Sequence, residues 1–390
     1  MWLLLFIMKN SYPISFRRLA LWPTLPLDVY FRSETKWRPF PLDQENCRIY
    51  SRARHALWNT CKSLAFKAED IVLVPAYHHG SEIEALIQAG LQIRYYDINE
   101  TLEPDLKEIE KLLGPNVRAF YLIHYLGFPQ NAKFWQKWCK EQGLLFFEDA
   151  AQSFLTEYDG QPVGSFGDVG LYCLYKMYGI PDGGAVISKN PSAKSTLPAS
   201  SGIWRAFKWH INWLAGRREI IGLIHLWVKP LFSWWKQQKG SVSSELNLGN
   251  PFTPPSKLSM RLLPKLLDSE TSRRRRENYS FLLKHLRDMV PGAFKTLPVG
   301  ACPCALPIEV KDPKSFMEQL QQKGVLGLLF WSIPHQSLPV DDFPVSKCLR
   351  SKIVALPVHQ ELTHENLIQI VEAVLTCSNQ VVPQPVASSQ

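Results

Sequence analysis

Two ionisable residues stand where apolar runs end, and in a folded sheet such positions meet ligands. In Phe146-Phe147-Glu148-Asp149-Ala150-Ala151-Gln152 a strand core ends in a carboxylate, then small residues, then an amide. Ligands of open α/β sheets sit beyond the carboxyl ends of the strands, so Asp149 is placed to meet one. A buried Asp there needs a cationic partner, and a protonated pyridine nitrogen is a suitable one. The second residue is Lys176, after the apolar run Val169–Leu174 and beside Tyr175. Desolvation there would disfavour its ammonium form, which is what an amine that bonds a carbonyl carbon requires. Gly164, Gly167, Gly183 and Gly184 flank the lysine and let the chain turn sharply against a ligand. Alone, an Asp after a strand reads as a turn former or helix cap, and a strand-end Lys as one that snorkels to water. Their order along the chain is what points to chemistry.

The elements that must position them are legible around them. Apolar runs at 71–74, 92–98, 118–124 and 144–147 read as buried strands, separated by helical patterns at 81–89, 104–113 and 131–142. That rhythm predicts βαβ units and a mostly parallel sheet. Residues 169–174 and 185–188 read as further strands, and a helix is expected over about 272–289. A smaller strand, helix, strand, helix unit follows at 305–310, 315–323, 352–356 and 363–375.

Composition sets the bounds. With 390 residues, 46% of them hydrophobic, the chain is globular and long enough for two domains. The formal charge of +9 suits an anionic partner, but no nucleic-acid motif accompanies it. Arg273-Arg274-Arg275-Arg276 reads as a solvated helix start rather than a nucleic-acid patch. The eight cysteines show no CxxC pair, and Cys302-Pro-Cys304 lacks further ligands nearby, so no metal site is expected. A reducing, cytoplasmic compartment is the corresponding expectation. The apolar stretch Met1–Met8 is too short to span a bilayer and has no basic segment before it.

The chemical residues and their order resemble the DegT–StrS family of pyridoxal 5'-phosphate (PLP)-dependent sugar aminotransferases. The resemblance rests on the Glu148–Gln152 strand end, the Gly164–Asp168 turn, Lys176 and Gly183-Gly184. Val74–Gly80 (VPAYHHG), Ile123–Pro129 (IHYLGFP), Arg273–Leu283 and Leu356–His359 (LPVH) extend it over residues 45–378. It implies the PLP-dependent transferase fold type I, an α/β fold whose mostly parallel central sheet is flanked by helices, with a smaller C-terminal α/β domain. The implied division is an N-terminal extension (1–44), a large PLP-binding domain (45–270), a small domain (271–379) and a polar tail (380–390).

The resemblance also implies roles. Lys176 is the lysine that holds PLP covalently and moves a proton, and Asp149 pairs with the pyridine nitrogen. Gln152 lies near the ring's phenolic oxygen, and His79 stands where an aromatic ring faces the cofactor. The Arg52–Leu57 turn, with Arg54 and His55, stands where helix-start amides cradle the phosphate. Cys173 replaces a phosphate-binding Ser, Ala53 a Gly and Arg52 a Ser, while Asn250 is a candidate for the residue that reaches a neighbour's phosphate. The implied activity transfers an amino group from glutamate to a keto-sugar nucleotide for polysaccharide or glycoconjugate synthesis, in a homodimer. A dehydratase of this fold would carry His in place of Lys176; a regulatory pseudoenzyme is the alternative that the altered phosphate turn raises.

Residues 203–239 form an aromatic and basic insert. Trp204, Phe207, Ile211 and Leu214 fall at helical spacing among Arg205, Lys208, Arg217 and Arg218. Such a stripe packs on its own core or a dimer partner, or rests on a membrane surface.

Overall fold

The computed structural model describes residues 17–191, 197–217 and 246–379. A seven-stranded sheet forms its centre, from β1 (Arg48–Tyr50), β2 (Ile71–Pro75), β3 (Gln92–Tyr96), β4 (Val117–Ile123) and β5 (Leu145–Ala150). After a short hairpin of β6 (Glu157–Tyr158) and β7 (Gln161–Pro162), β8 (Val169–Cys173) and β9 (Gly184–Ser188) complete it. The order is β1-β9-β8-β5-β4-β2-β3. Strands β3, β2, β4, β5 and β8 run parallel. β9 returns antiparallel to β8, and β1 lies antiparallel on β9. The link from β8 to β9 is too short for a parallel crossover, which takes a dozen or more residues, so the chain must reverse there. β2 and β8 are buried along their whole length, as strands covered on both faces must be.

The helices follow in chain order. α1 (Ala53–Ser63), α2 (Ser81–Ala89), α3 (Leu106–Lys111) and α4 (Ala132–Gln142) alternate with the first strands. α5 (Leu174–Met177) is one turn long and directly follows β8. α6 (Ile203–Arg217) buries Ala206, His210 and Ala215 and leaves Ile203, Trp204 and Phe207 exposed. The rest of the insert, residues 218–239, lies outside the described residues.

α7 (Lys257–Leu266), with Pro264 inside it, was not among the elements expected from the sequence. Ser256 caps its start by accepting from Ser259 N. α8 (Thr271–Leu286) leads to β10 (Ala305–Glu309), α9 (Pro313–Gln322), β11 (Leu328–Leu329), α10 (Pro344–Lys352), β12 (Ile353–Pro357) and α11 (His364–Asn379). The three strands make a second, antiparallel sheet in the order β10-β12-β11. No helix among the described residues is long and apolar enough to cross a membrane.

The segment before β1 is tied into this body. Leu19 N donates to Gly324 O and Leu326 N to Leu19 O, while His359 Nε2 meets Ala20 O. Leu25 N reaches Trp209 O on α6, and a Cβ on Gly179 would lie 2.5 Å from Thr24 O. Residues 18–25 therefore pass between the lysine loop, α6 and the smaller sheet.

Candidate active site

Strand alternation sends Glu148 and Asp149 to opposite faces of β5. Glu148 is fully buried and accepts from Gly164 N at 2.9 Å, Gly167 N at 2.5 Å and the His124 ring at 3.0 Å. It anchors the turn that leads into β8. Asp149 faces the other way, where Tyr121 donates its hydroxyl to Oδ2 at 2.7 Å and Ala151 N donates to Oδ1 at 2.8 Å. Burial raises the Asp149 pKa and the Glu82 charge adds to the rise, while the Tyr121 hydrogen bond opposes it. Among the described residues no cationic side chain hydrogen-bonds this carboxylate.

Lys176 enters from the adjacent strand on α5. Its Nζ lies 5.9 Å from the Trp22 ring centroid, within cation–π range. Lys176 and Asp149 line one cavity of about 230 Å³. The sequence led us to expect desolvation to disfavour the ammonium, and this is corrected by the surroundings. Burial does act that way, but Cys173, Tyr175, Cys304 and Asp149 outweigh it, and the Lys176 pKa is raised. Cys173 and Tyr175 stand beside Lys176 in the chain, but the approach of Cys304 was not visible in the linear sequence, because it arrives from the far half of the chain.

The remaining predicted residues divide. Gln152, His79, Cys173 and Arg54 line the same cavity. Gln152 Oε1 accepts from Leu126 N at 2.8 Å, which fixes the amide. His79 donates its backbone N–H to Glu82 Oε1 at 2.8 Å and pairs its Nδ1 with Ser81 Oγ at 3.1 Å. Arg54 donates to Asn247 O at 2.9 Å.

His55 does not line the cavity, and its expected role is corrected. Its ring is held inward by Ser51 Oγ at 2.9 Å and Leu248 O at 2.8 Å, one helical position round from Arg54. Asn250 is also outside: its Oδ1 accepts from Phe252 N and closes its own turn.

The start of α1 is the cavity's cationic end. Arg52, Ala53 and Arg54 line it, and the N-cap residue Arg52 gives no side-chain cap. Arg52 instead lies over the Tyr175 ring, 5.1 Å from its centroid. Gly184 makes this packing possible, since a Cβ there would sit 2.1 Å from Ala53 N.

Sequence reasoning missed four residues at the site. Tyr121 stands on β4 opposite Phe147, two residues before the Ile123–Asp149 pair, so strand register could have found it. Glu82 lines the cavity from the second residue of α2. Trp22 and Trp331 line it from distant parts of the chain and carried no local signal. Trp331 sits at φ 52°, uncommon for a bulky residue, and donation from Arg350 to its carbonyl holds it there.

Fold and site together define an α/β protein of the PLP-dependent transferase fold type I, with an amine and a carboxylate facing one cavity at the carboxyl ends of parallel strands. Residues 42–201, which carry that cavity's central residues, match the model of the DegT/DnrJ/EryC1/StrS aminotransferase family. The chain is 25% identical over 265 residues to a dTDP-4-dehydro-2,3,6-trideoxy-D-glucose 4-aminotransferase of Saccharopolyspora spinosa, covering 66% of this chain and 63% of the relative. It is 25% identical over 162 residues to a GDP-perosamine synthase of Vibrio cholerae, covering 41% and 44%. These alignments span less than two thirds of either relative's length. The crystal structure of the aminotransferase TlmJ from Streptoalloteichus hindustanus superposes with a TM-score of 0.65 at 17% identity, over 93% of this chain and 99% of that one.

Proposed function

We propose that the protein is a PLP-dependent aminotransferase that moves an amino group, from glutamate, onto a keto-sugar nucleotide for polysaccharide or glycoconjugate synthesis. The observation that carries the reading is the shared cavity of Lys176 and Asp149, reached from neighbouring strands β8 and β5.

The residues present fit the cofactor. A buried carboxylate with no cationic hydrogen-bond partner among the described residues suits a protonated pyridine nitrogen, which would reverse the cost of its burial. The start of an 11-residue helix without a side-chain cap, flanked by two arginines, suits a phosphate. Lys176, once its ammonium has given up a proton, would supply the amine that condenses with the cofactor's aldehyde and releases water.

When bound, PLP supplies an electron sink that weakens the bond from the substrate carbon to its proton. Asp149 would hold the ring nitrogen protonated, and Tyr121 would hold Asp149. Lys176 Nζ is the group placed to take that proton and return it. Gln152 and His79 would orient the ring, while Trp22 and Trp331 exclude water from the cavity's apolar side. The large unit for this function is residues 45–270 and the small one 271–379.

The test is direct. Purified protein mixed with PLP and reduced with borohydride should carry the pyridoxyl label on Lys176, and glutamate should discharge the visible absorbance. Label on another lysine, or none, overturns the reading.

The reading extends to assembly as a homodimer acting in the cytoplasm, with the exposed Ile203, Trp204 and Phe207 of α6 covered by the second copy. A dimer that is lost on Trp204→Glu and Phe207→Glu substitution supports this. A monomer that instead sediments with anionic vesicles through the same residues would assign the face to a membrane.

A further inference from the structure

α5, the turn that carries Lys176, is four residues long, so none of its last carbonyls can be satisfied by a continuing helix. Leu174 O accepts from Tyr178 N at 2.9 Å. The carbonyls of Lys176 and Met177 are met from the other half of the chain. Arg275, on α8, donates from one terminal nitrogen to Met177 O at 3.2 Å and Lys176 O at 3.4 Å. Gln360, just after β12, adds a donor to Met177 O at 2.9 Å.

Arg275 is itself fully buried. Its remaining donors go to Pro303 O at 3.1 Å and Gln360 Oε1 at 2.9 Å. All four partners are neutral oxygens, and no carboxylate pairs with this guanidinium among the described residues. A buried charge ordinarily persists where a counter-ion offsets its desolvation. Here the compensation is a fan of carbonyl oxygens at the C-terminal end of a helical turn, where a cation is favoured.

The sequence reading of the run Arg273–Arg276 as a solvated helix start is corrected by this residue. Arg273 and Arg274 do face solvent and pair with Glu270, Glu277 and Asp268. Arg275 points inward because helical periodicity turns one position of any four toward the core.

We propose that Arg275, with Gln360, is a positioning residue for Lys176: it fixes the backbone of the lysine-bearing turn to the α8–β12 half of the protein, so that displacement of that half carries the lysine with it. The inference rests on the reading of Lys176 as the cofactor lysine. Only a planar fork can serve two carbonyls of the turn and two anchors at once, so lysine is an incomplete substitute.

The experiment compares wild type, Arg275→Met, Arg275→Lys and, as a control on the exposed neighbour, Arg274→Met. The readouts are PLP affinity, borohydride labelling of Lys176, and hydrogen exchange of residues 174–183 in the cofactor-free protein. Arg275→Met should weaken PLP roughly tenfold or more, the scale of a buried carbonyl left unpaired. It should also speed exchange in 174–183 while β4 and β5 keep wild-type protection. Arg275→Lys should fall between, and Arg274→Met should match wild type. Wild-type labelling with unchanged exchange in Arg275→Met would overturn the proposal, and so would exchange accelerated equally throughout the sheet. If Arg275→Met does not fold, Gln360→Leu removes one donor from Met177 O and should shift the same readouts less. Failure of the wild type to label at Lys176 overturns the proposed function instead, and the exchange comparison still decides the tether.

Discussion

The hydroxyl of Tyr121 donates to Asp149 Oδ2 at 2.7 Å, inside the sheet and away from solvent. That bond opposes the effect of burial, which raises the Asp149 pKa. Tyr121→Phe should therefore bind PLP but turn over more slowly, by roughly tenfold, the size of a hydrogen bond to a charged group. Asp149→Asn should lower turnover by about a hundredfold or more, because a neutral amide cannot hold a pyridine nitrogen protonated. Steady-state kinetics on PLP-loaded protein would check both, and near-wild-type rates in Asp149→Asn would remove it from the mechanism.

Glu148, on the opposite face of the same strand, should matter for stability rather than chemistry. Glu148→Ala leaves the N–H groups of Gly164 and Gly167 and the His124 ring without their acceptor. A loss of about 3 kcal/mol is expected from removing one member of such a buried set. Urea unfolding followed by tryptophan fluorescence measures it; an unchanged midpoint would contradict the anchoring role.

Gly184→Ala tests the phosphate end. The added Cβ would lie 2.1 Å from Ala53 N and 2.2 Å from the Arg52 carbonyl carbon, so the start of α1 must move. The variant should bind PLP more weakly while its affinity for unphosphorylated pyridoxal changes little. Equal losses for both ligands would place the phosphate elsewhere.

Acid stability follows from buried histidines whose pKa is lowered by burial, among them His55, His78 and His359. Burial pulls the His55 pKa down to about 4, partly offset by its bond to Leu248 O, and burial pulls His359 down to about 3. Both are neutral in the folded protein near pH 6, whereas the unfolded chain takes up protons below about 6.5. Stability is therefore complete above pH 6.5 and falls as pH drops toward 4, by about 1.4 kcal/mol per pH unit for each histidine. Replacing His55 with Gln should flatten the urea midpoint between pH 6.5 and 4; an unchanged slope would rule it out as a source.

The sequence alone determined the parallel core and the residues at its strand ends. A strand covered on both faces reads as a continuous apolar run, and Asp149 and Lys176 close two such runs, so their placement needs only local pattern. The cavity's cysteine, arginine and glutamine positions were what the family resemblance implied, and the structure brings them to one cavity.

The tertiary structure decided everything that depends on two distant segments meeting. His55 differs from Arg54 by one residue, yet α1 turns one side chain into the cavity and ties the other to Leu248, a choice set by which face packs. Trp22 and Trp331 reach the cavity from distant parts of the chain, and of the two Trp22 alone lies over the lysine. Arg275 sits in a run of four arginines that looks uniformly solvated, and only the docking of α8 on the Lys176 turn buries it. The rise in the Lys176 pKa has both origins: Cys173 and Tyr175 stand beside it in the chain, whereas Cys304 and Asp149 reach it only through the fold.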